Sequence, residues 1–368
     1  MIKAKFNKSN WKKVKFGDIS KEVRISEHNP IENGLERYIG LERIDSEDLH
    51  IKSWGYIKDG TTFSRKFIKG QLLFGRRRAY LKKAAIADFD GICSGDILVF
   101  EAIKDKLIPE LLPFIVQNEK FFNFAIDASA GSLSPRVKFK NLAEFELSLP
   151  NSLEEQKELA DLLGAGDKLK VSQLHLIDEL NNYKKALAND ANQESNGNNP
   201  IKWPEVKLGE VVSFLQKSNR RAGDALEIGK YPFFTSSQVQ DKYFNEVDYI
   251  EEALILGTGG SASIHISQFF SCSADNFIIK SNTNKLLNKY IYEYLKGRIS
   301  LIEKGFRGTG LKHLSKTYLK NIKIIIPPLE KQKTILNSLS KVDREMDQLL
   351  YTSKLIVKIN KSLIKEIF

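Results

Sequence analysis

The chain has 368 residues and a formal net charge of +11 at pH 7, from 57 Lys and Arg against 46 Asp and Glu, which favours a polyanionic partner such as nucleic acid or an acidic membrane surface. Hydrophobic residues make up 42%, including 22 Phe and 12 Tyr, so the chain can build cores and is not wholly disordered. Two cysteines exclude a disulfide framework and a four-cysteine zinc site. No apolar run approaches the ~20 residues of a membrane span, so we expect a soluble, cytoplasmic protein. The length of the chain predicts two or three domains.

The first part of the chain predicts a mixed, β-rich segment followed by a long helix. It opens with Trp-Lys-Lys-Val-Lys-Phe-Gly-Asp-Ile at Trp11–Ile19, and short apolar runs such as Ile97–Phe100 are separated by Gly, Asn and Asp turns. Ser152 and Glu155 form the capping-box signature of a helix start. We therefore predict a helix over about residues 153–187.

The second part predicts the same plan after a linker. Residues 189–202 are rich in Asn with almost nothing to bury, which is typical of a flexible linker. Phe277–Ile279 predicts a short strand in a second β-rich segment. Pro328 lies where a first-turn proline is tolerated, so a second long helix is predicted from there to Phe368.

An internal duplication underlies this shared plan. Five pairs of matching segments follow one another in the same order, and the offset between them shrinks from 192 to 176, as loops of different length would cause. The matches are Trp11–Ile19 with Trp203–Val211, Arg37–Tyr38 with Lys230–Tyr231, Leu73–Gly75 with Ile255–Gly257, Cys93–Asp96 with Cys272–Asp275, and Leu149–Lys157 with Ile326–Lys333.

Both predicted helices carry residues at alternating spacings of four and three, the pattern of a coiled-coil seam. The seam of the first helix is more polar, and Gly164-Ala165-Gly166 is expected to loosen or bend that helix. We expect the two helices to pack on each other in antiparallel orientation; the alternative is that each only covers its own domain. The seams are Leu159, Leu163, Gly166, Lys170, Gln173, Ile177, Leu180, Lys184 and Leu187, and Ile335, Leu339, Val342, Met346, Leu349, Ser353, Ile356, Asn360, Leu363 and Ile367.

No catalytic or metal-binding motif is evident. The five histidines show no paired metal spacing. Cys93 and Cys272 precede apolar runs at equivalent places in the duplication, which favours buried structural thiols over nucleophiles. Gly257–Ser261 resembles a phosphate loop only weakly, because no Lys-Ser or Lys-Thr follows it. We expect no active site, metal or cofactor in this chain.

Loops of different chemistry at equivalent places are the candidate nucleic-acid-binding sites. Arginine can contact phosphate or read guanine with its paired donors, and hydroxyl and amide side chains can reach base edges. The alternative for the arginine run is a solvated surface, and loops of Ser and Gly can be simple turns. The candidates are Arg76, Arg77, Arg78, Tyr80, Lys82, Lys83, Ser134, Arg136 and Lys138 in the first copy, and Ser236, Ser237, Gln238, Thr258, Ser261, Ser263, Arg307, Thr309 and Lys312 in the second.

These features resemble the DNA-specificity subunit of type I restriction–modification systems, along essentially the whole chain. The resemblance rests on the duplicated Trp-x-x-Val-Lys-[Phe/Leu]-Gly-[Asp/Glu] motif, on Leu-Phe-Gly-Arg-Arg leading to Cys-Ser-Gly-Asp, and on the helix starts Pro-x-x-Leu-Glu-x-Gln and its shorter second copy. It implies an α+β fold with an internal pseudo-two-fold repeat. The implied parts are a target-recognition domain at 1–150, a central spacer helix at 151–188, the linker at 189–202, a second target-recognition domain at 203–327 and a C-terminal spacer helix at 328–368.

The resemblance also implies partners. Each recognition domain would read one half of a split site in double-stranded DNA, and the antiparallel helices would fix the spacing and dock two modification subunits. Those subunits would carry S-adenosylmethionine and methylate adenine, and two restriction subunits could join. Two other readings stay open from the residues: a coiled-coil scaffold with incidental basic charge, and an enzyme using His265 or His313, which have no histidine counterpart in the first copy.

Overall fold

The structure is a computed structural model that describes residues 6–129, 135–190, 193–196 and 199–368. Its contacts group into two compact units. Unit 1 comprises residues 1–174 and 351–368, and unit 2 comprises residues 175–350. Each long helix therefore contributes residues to both units.

The β-rich part of unit 1 comprises short strands and helices that lead into the first long helix. Its strands are β1 (Trp11–Lys15), β2 (Ser20–Val23), β3 (Arg37–Ile39), β4 (Gly55–Tyr56), β5 (Arg65–Phe67), β6 (Leu72–Gly75), β7 (Ala84–Ile86), β8 (Gly91–Cys93), β9 (Ile97–Ala102) and β10 (Glu146–Pro150). Its helices are α1 (Phe16–Ile19), α2 (Leu112–Val116), α3 (Glu119–Asp127), α4 (Phe139–Leu142) and the start of α5 (Leu153–Asp190).

Two four-stranded sheets lie in the described part of unit 1, in the orders β2-β9-β6-β7 and β4-β3-β8-β5. Strand β1 pairs separately with β10, which runs directly into α5. Gly17, in the motif that begins at Trp11, lies so close to α4 that an added Cβ would be 2.7 Å from the Ala143 Cβ. The opening motif thus ties the start of the domain to the strand that precedes the long helix.

The core of unit 1 is aromatic and continues into the long helices. The Phe16 and Phe121 ring centroids are 4.8 Å apart. Leu163 of α5 and Ile367 of the second long helix are fully buried in the same cluster. Burial of such side chains stabilises by roughly 1.5–3 kcal/mol each, so the helix ends are part of the domain core.

Unit 2 repeats the plan. Its strands are β11 (Gln193–Asn196), β12 (Asn199–Lys202), β13 (Glu205–Lys207), β14 (Val212–Phe214), β15 (Tyr231–Phe234), β16 (Lys242–Phe244), β17 (Ala253–Gly257), β18 (Ile264–Ser267), β19 (Ser271–Cys272), β20 (Asn276–Ser281), β21 (Phe306–Arg307), β22 (His313–Leu314) and β23 (Lys323–Ile325). Its helices are α6 (Leu208–Val211), α7 (Asn288–Lys296), α8 (Ile299–Glu303), α9 (Lys316–Asn321) and the start of α10 (Leu329–Ile367).

Strand order confirms the duplication. The sheet β14-β20-β17-β18 has the order of β2-β9-β6-β7, and β13 pairs with β23 as β1 pairs with β10. Each copy also has a parallel strand pair, in which Ile39 faces Cys93 and Phe234 faces Cys272. Ile39 therefore corresponds to Phe234, and the match proposed for Arg37 from the sequence is two residues out of register, because a longer loop precedes β15.

The predicted linker at 189–202 overlaps the end of α5, and β11 pairs with β12 in antiparallel register. Residues 191–192 and 197–198 lie outside the described residues, so the flexible linker stays a prediction.

The two long helices are confirmed, and their burial follows the predicted seams. Every predicted seam position is buried or half-buried. Helix α5 runs unbroken through the Gly-Ala-Gly segment. In unit 1 an added Cβ on Gly166 would overlap the Asn360 carboxamide, so this glycine permits the close approach of α10. In unit 2 the Lys184 Nζ is 2.5 Å from the Asp343 Oδ1. The pairing of late α10 with early α5, and of late α5 with early α10, is antiparallel.

A buried glutamine braces each long helix to its domain. Gln156 accepts a hydrogen bond from the Ile108 N–H at 3.1 Å and donates to the Pro150 carbonyl at 3.1 Å. Gln332 accepts from the Leu287 N–H at 3.0 Å and donates to the carbonyl just before its helix at 2.8 Å. The glutamine of the duplicated Leu-Glu-x-Gln motif therefore fixes where each helix leaves its domain.

Candidate nucleic-acid interfaces

In the first copy, the basic loop (residues 76–83) and the arginine loop (residues 135–138) meet beside the segment that contains Asp96. The Arg76 N–H donates to the Asp96 carbonyl at 2.9 Å, and the Val137 N–H donates to the Arg76 carbonyl at 3.0 Å. These bonds use only the main chain. They bring together loops that are separated by about 60 residues in the sequence.

Asp96 gathers two of the predicted arginines. Its Oδ1 is 2.6 Å from the Arg136 Nε and its Oδ2 is 3.3 Å from the Arg77 Nη1. Partial burial tends to raise the pKa of the Asp96 carboxyl, but the hydrogen bonds and charges of the two guanidinium groups outweigh burial and hold the pKa below its ordinary value. Asp96 is therefore ionised at neutral pH.

The two lysines of the basic loop are engaged within the domain. Lys82 Nζ lies 3.6 Å from carboxylate oxygens of Glu47 and Glu119, and Lys83 Nζ donates to the Leu41 carbonyl at 2.9 Å. Both lysines thus hold neighbouring segments in place, which the basic pattern of the sequence does not reveal.

The remaining first-copy candidates differ in exposure. Arg76 is half-buried and its Nε donates to a main-chain carbonyl at 3.1 Å; burial lowers its pKa. Arg78 is exposed in left-handed conformation at φ 54°, and Tyr80 is 54% exposed. Lys138 is exposed at the start of α4. Ser134 lies outside the described residues.

The second copy repeats the two main-chain bonds that Arg76 makes with Asp96 and Val137. We call this pair of bonds the main-chain frame. The Thr258 N–H donates to the Asp275 carbonyl at 2.9 Å, and the Leu314 N–H donates to the Thr258 carbonyl at 2.9 Å. Thr258 therefore corresponds to Arg76, and its side chain is buried rather than presented to solvent.

Hydroxyl and amide groups occupy this frame in place of arginines. The Ser236 Oγ donates to the Asp275 carbonyl at 2.6 Å, and the buried Ser263 Oγ donates to the Ser236 carbonyl at 3.2 Å. Ser237 and Gln238 are exposed, and the Gln238 amide donates to a main-chain carbonyl at 3.2 Å. Ser261 is also exposed on the adjoining loop.

The hairpin of β21 and β22 adds three exposed candidates. The Arg307 Nη1 donates to the Lys304 carbonyl at 2.6 Å, and its guanidinium lies 5.4 Å from the Tyr318 ring centroid. Thr309 and Lys312 are exposed on the connection between the two strands. Because Gly259 bridges to the second strand, this hairpin adjoins the Ser236 loop.

The cysteines and histidines occupy structural or surface positions. Cys93 and Cys272 are fully buried, and burial raises the pKa of each thiol to about 12, which makes them poor nucleophiles. The His265 Nε2 lies 2.9 Å from the Ser237 carbonyl oxygen, and His313 is exposed. Among the described residues, no three His, Cys, Asp or Glu come together as a metal cluster.

Asp96 is the site residue that sequence reasoning missed, although the Cys-Ser-Gly-Asp segment was noted as a repeat. Its position in a duplicated motif downstream of an arginine run was the available signal. Its role depends on Arg136, which lies 40 residues away, and no local pattern shows that contact.

The model for the type I restriction modification DNA specificity domain matches the chain twice, over residues 8–182 and 200–360. The chain belongs to this family. It is 25% identical to the putative type I restriction enzyme MjaX specificity subunit of Methanocaldococcus jannaschii, over 92% of this chain and 91% of that protein.

Two solved structures share the fold. The type I restriction-modification system S subunit from M. genitalium has a TM-score of 0.60 at 15% identity, covering 99% of this chain and 98% of that one. A chain from a solved type I R-M system has a TM-score of 0.59 at 17% identity, covering 98% and 97%. The role of this family member is DNA sequence specificity, and the two loop clusters are its candidate reading sites. No helix in the described ranges is both long and apolar enough to cross a membrane.

Proposed function

We propose that this chain is the non-catalytic reading subunit that directs adenine methyltransferase subunits to a two-part, gapped site in double-stranded DNA. The first copy reads one half and the second copy reads the other. Two modification subunits bind the chain in the cytoplasm and supply S-adenosylmethionine and the chemistry, and two restriction subunits can join. The chain itself needs no cofactor.

The observation that carries this proposal is the common main-chain frame with different side chains. Arg76 and Thr258 make equivalent main-chain bonds, yet Arg77 and Arg136 lie beside the first frame and Ser236 beside the second. One frame that supports different chemistry in its two copies is suited to reading two different sequences.

Helix length supports a gapped site. Helices α5 and α10 contain 38 and 39 residues, respectively. At about 1.5 Å per residue each spans roughly 57–59 Å, which exceeds one DNA turn of about 34–36 Å. Elements of this length are suited to reading half-sites more than one turn apart.

A stripe of exposed apolar side chains along α5 is suited to docking the modification subunits. Positions that flank a coiled-coil seam are often charged, whereas these are apolar at a spacing of seven and between 45% and 54% exposed. We call this the flanking stripe; it comprises Leu162, Leu169, Leu176 and Tyr183.

The deciding experiment is co-expression with the modification subunit encoded beside this chain, followed by long-read mapping of methyladenine in host DNA. We expect a gapped two-part motif that vanishes when this chain is omitted. Absence of methylation, with the partner shown to be folded and bound, would instead favour the coiled-coil scaffold.

Exchanging residues 203–327 for another recognition domain tests modular reading. We expect only one half of the motif to change. A change in both halves would contradict the assignment of one half to each copy. In an Arg77→Ala variant, we expect weaker binding to targets that match the first half-site. Unchanged affinity with an unchanged salt slope would exclude the basic loop as a DNA-binding site.

A further inference from the structure

The two arginines on Asp96 are held by one carboxylate while they stay accessible. Arg77 and Arg136 retain 38% and 48% exposure of their side chains, against 20% for Asp96. Their main chains also form an isolated antiparallel bridge, so both the backbones and the guanidinium groups are fixed relative to each other.

An arginine fixed in this way loses little side-chain entropy when it binds. Each guanidinium has five N–H donors in a planar fork, and the contact with Asp96 uses only some of them. Paired donors match the O6 and N7 acceptors of guanine in the major groove. A pre-organised fork therefore reads guanine at lower entropic cost than a free arginine.

The carboxylate also limits non-specific attraction. One ionised Asp96 between two guanidinium groups leaves a net charge of +1 in place of +2. Attraction to phosphate is independent of sequence and grows with each cation that neutralises a phosphate. The arrangement thus favours base reading over phosphate binding.

An open polar cavity adjoins the same carboxylate and leaves room for a ligand. Its volume is about 460 Å³, and Asp96 lines it together with hydroxyl side chains that can donate to phosphate or to base edges. The hydroxyl groups belong to Ser26, Thr62, Ser64 and Ser94.

The second copy has the carboxylate without the arginines. Gly259 and His313 form the bridge that corresponds to Arg77 and Arg136, and Asp275 is exposed with no ion-pair partner in the part of the chain that the structure describes. Asp275 therefore provides a matched control at the equivalent position.

We propose that Arg77 and Arg136 read guanine at a G·C pair in the first half-site. Asp96 is their positioning residue and sets the base selectivity at this pair. This inference rests on the proposed function. It adds the base class that one half reads and the residue that sharpens the reading.

The test uses the full chain co-purified with its modification subunit and a duplex of about 40 base pairs that carries the mapped motif. Binding is measured for each single-base-pair substitution in the first half-site, over a salt series. For the wild type we expect one G·C pair at which substitution weakens binding roughly ten- to a hundredfold. In Asp96→Asn we expect the loss of affinity at this G·C pair to fall to about threefold. Binding to unrelated DNA should become tighter, and the salt slope should be steeper by about one phosphate contact.

Two variants complete the design. Asp275→Asn should leave first-half selectivity unchanged. Arg77→Lys keeps the charge but removes the planar fork, so it should reduce guanine selectivity at an unchanged salt slope. It decides the question if Asp96→Asn fails to fold. Full selectivity in a folded Asp96→Asn or in Arg77→Lys overturns the inference, as does a first half-site that contains no selective G·C pair. A wild-type complex without any sequence preference would instead overturn the proposed function.

Discussion

Adjacent leucines on α5 allow a sharp test of which helix face holds the fold. Leu163 is fully buried in the core of unit 1, whereas Leu162 is 45% exposed on the flanking stripe. Truncation of a buried leucine to alanine costs about 2.7–5 kcal/mol, because both burial and packing are lost. Since 1 kcal/mol shifts Tm by about 2–4 °C in a unit of 150–250 residues, a cost near 3 kcal/mol predicts that Leu163→Ala lowers Tm by roughly 6–12 °C.

Leu162→Ala is the matched control with the opposite expectation. Its free energy of unfolding should stay within about 0.5 kcal/mol of the wild type. Its affinity for the modification subunit should fall by about tenfold, because an apolar contact of the stripe is removed. Thermal unfolding by circular dichroism and titration of the purified partner measure the two effects. An unchanged Tm in Leu163→Ala would refute the claim that burial of the seam stabilises unit 1. Unchanged partner affinity in Leu162→Ala would refute docking on the flanking stripe.

Three further variants test the braces, the close contacts and one pH-dependent ion pair. Gln332→Ala leaves the partly buried Leu287 N–H without its acceptor and the buried Pro327 carbonyl without its donor, and it should lower the free energy of unfolding by about 1–3 kcal/mol in urea; no change would mean the brace is dispensable. Gly209→Ala would place a Cβ 2.8 Å from the Lys320 Cβ and should cost about 1–3 kcal/mol, whereas a Tm equal to the wild type would show that α9 can shift away. The hydrogen bond that His50 donates to the Asp167 carboxylate raises the pKa of His50 against the effect of burial. The stabilisation from this ion pair is therefore complete below the ordinary His pKa and is lost as pH rises through the raised value. The Tm difference between wild type and His50→Gln should be larger at pH 6 than at pH 9, and a constant difference would contradict the ion pair.

The long helices and the duplication could be predicted because their signals are local or repeated. A buried stripe imposes its own periodicity on the chain, so the spacing from Ile335 to Ile367 follows directly from which residues avoid water. Strands such as β9 are apolar runs between turns, and the prediction at Ile97–Phe100 falls inside the observed strand.

The loop residues could not be sorted in this way, because the same side chains serve structure and recognition. Lys82 and Lys83 add to a basic run, yet both make contacts within the domain. Thr258 and Ser263 resemble base-reading hydroxyls, yet both are buried. These roles depend on partners that are distant in the sequence, which composition and periodicity do not report.

The separation between frame and reading surface has a physical consequence for how specificity can change. The bonds from Arg76 to Asp96 and from Thr258 to Asp275 involve main-chain atoms alone, so neither depends on the side chains at those positions. The braces at Gln156 and Gln332 lie at the helix starts. A substitution at an exposed loop position therefore costs little folding free energy, whereas one in a brace leaves a buried carbonyl unpaired. Under the proposed function, an exchange of loop side chains changes the target while the fold and the helices stay unchanged.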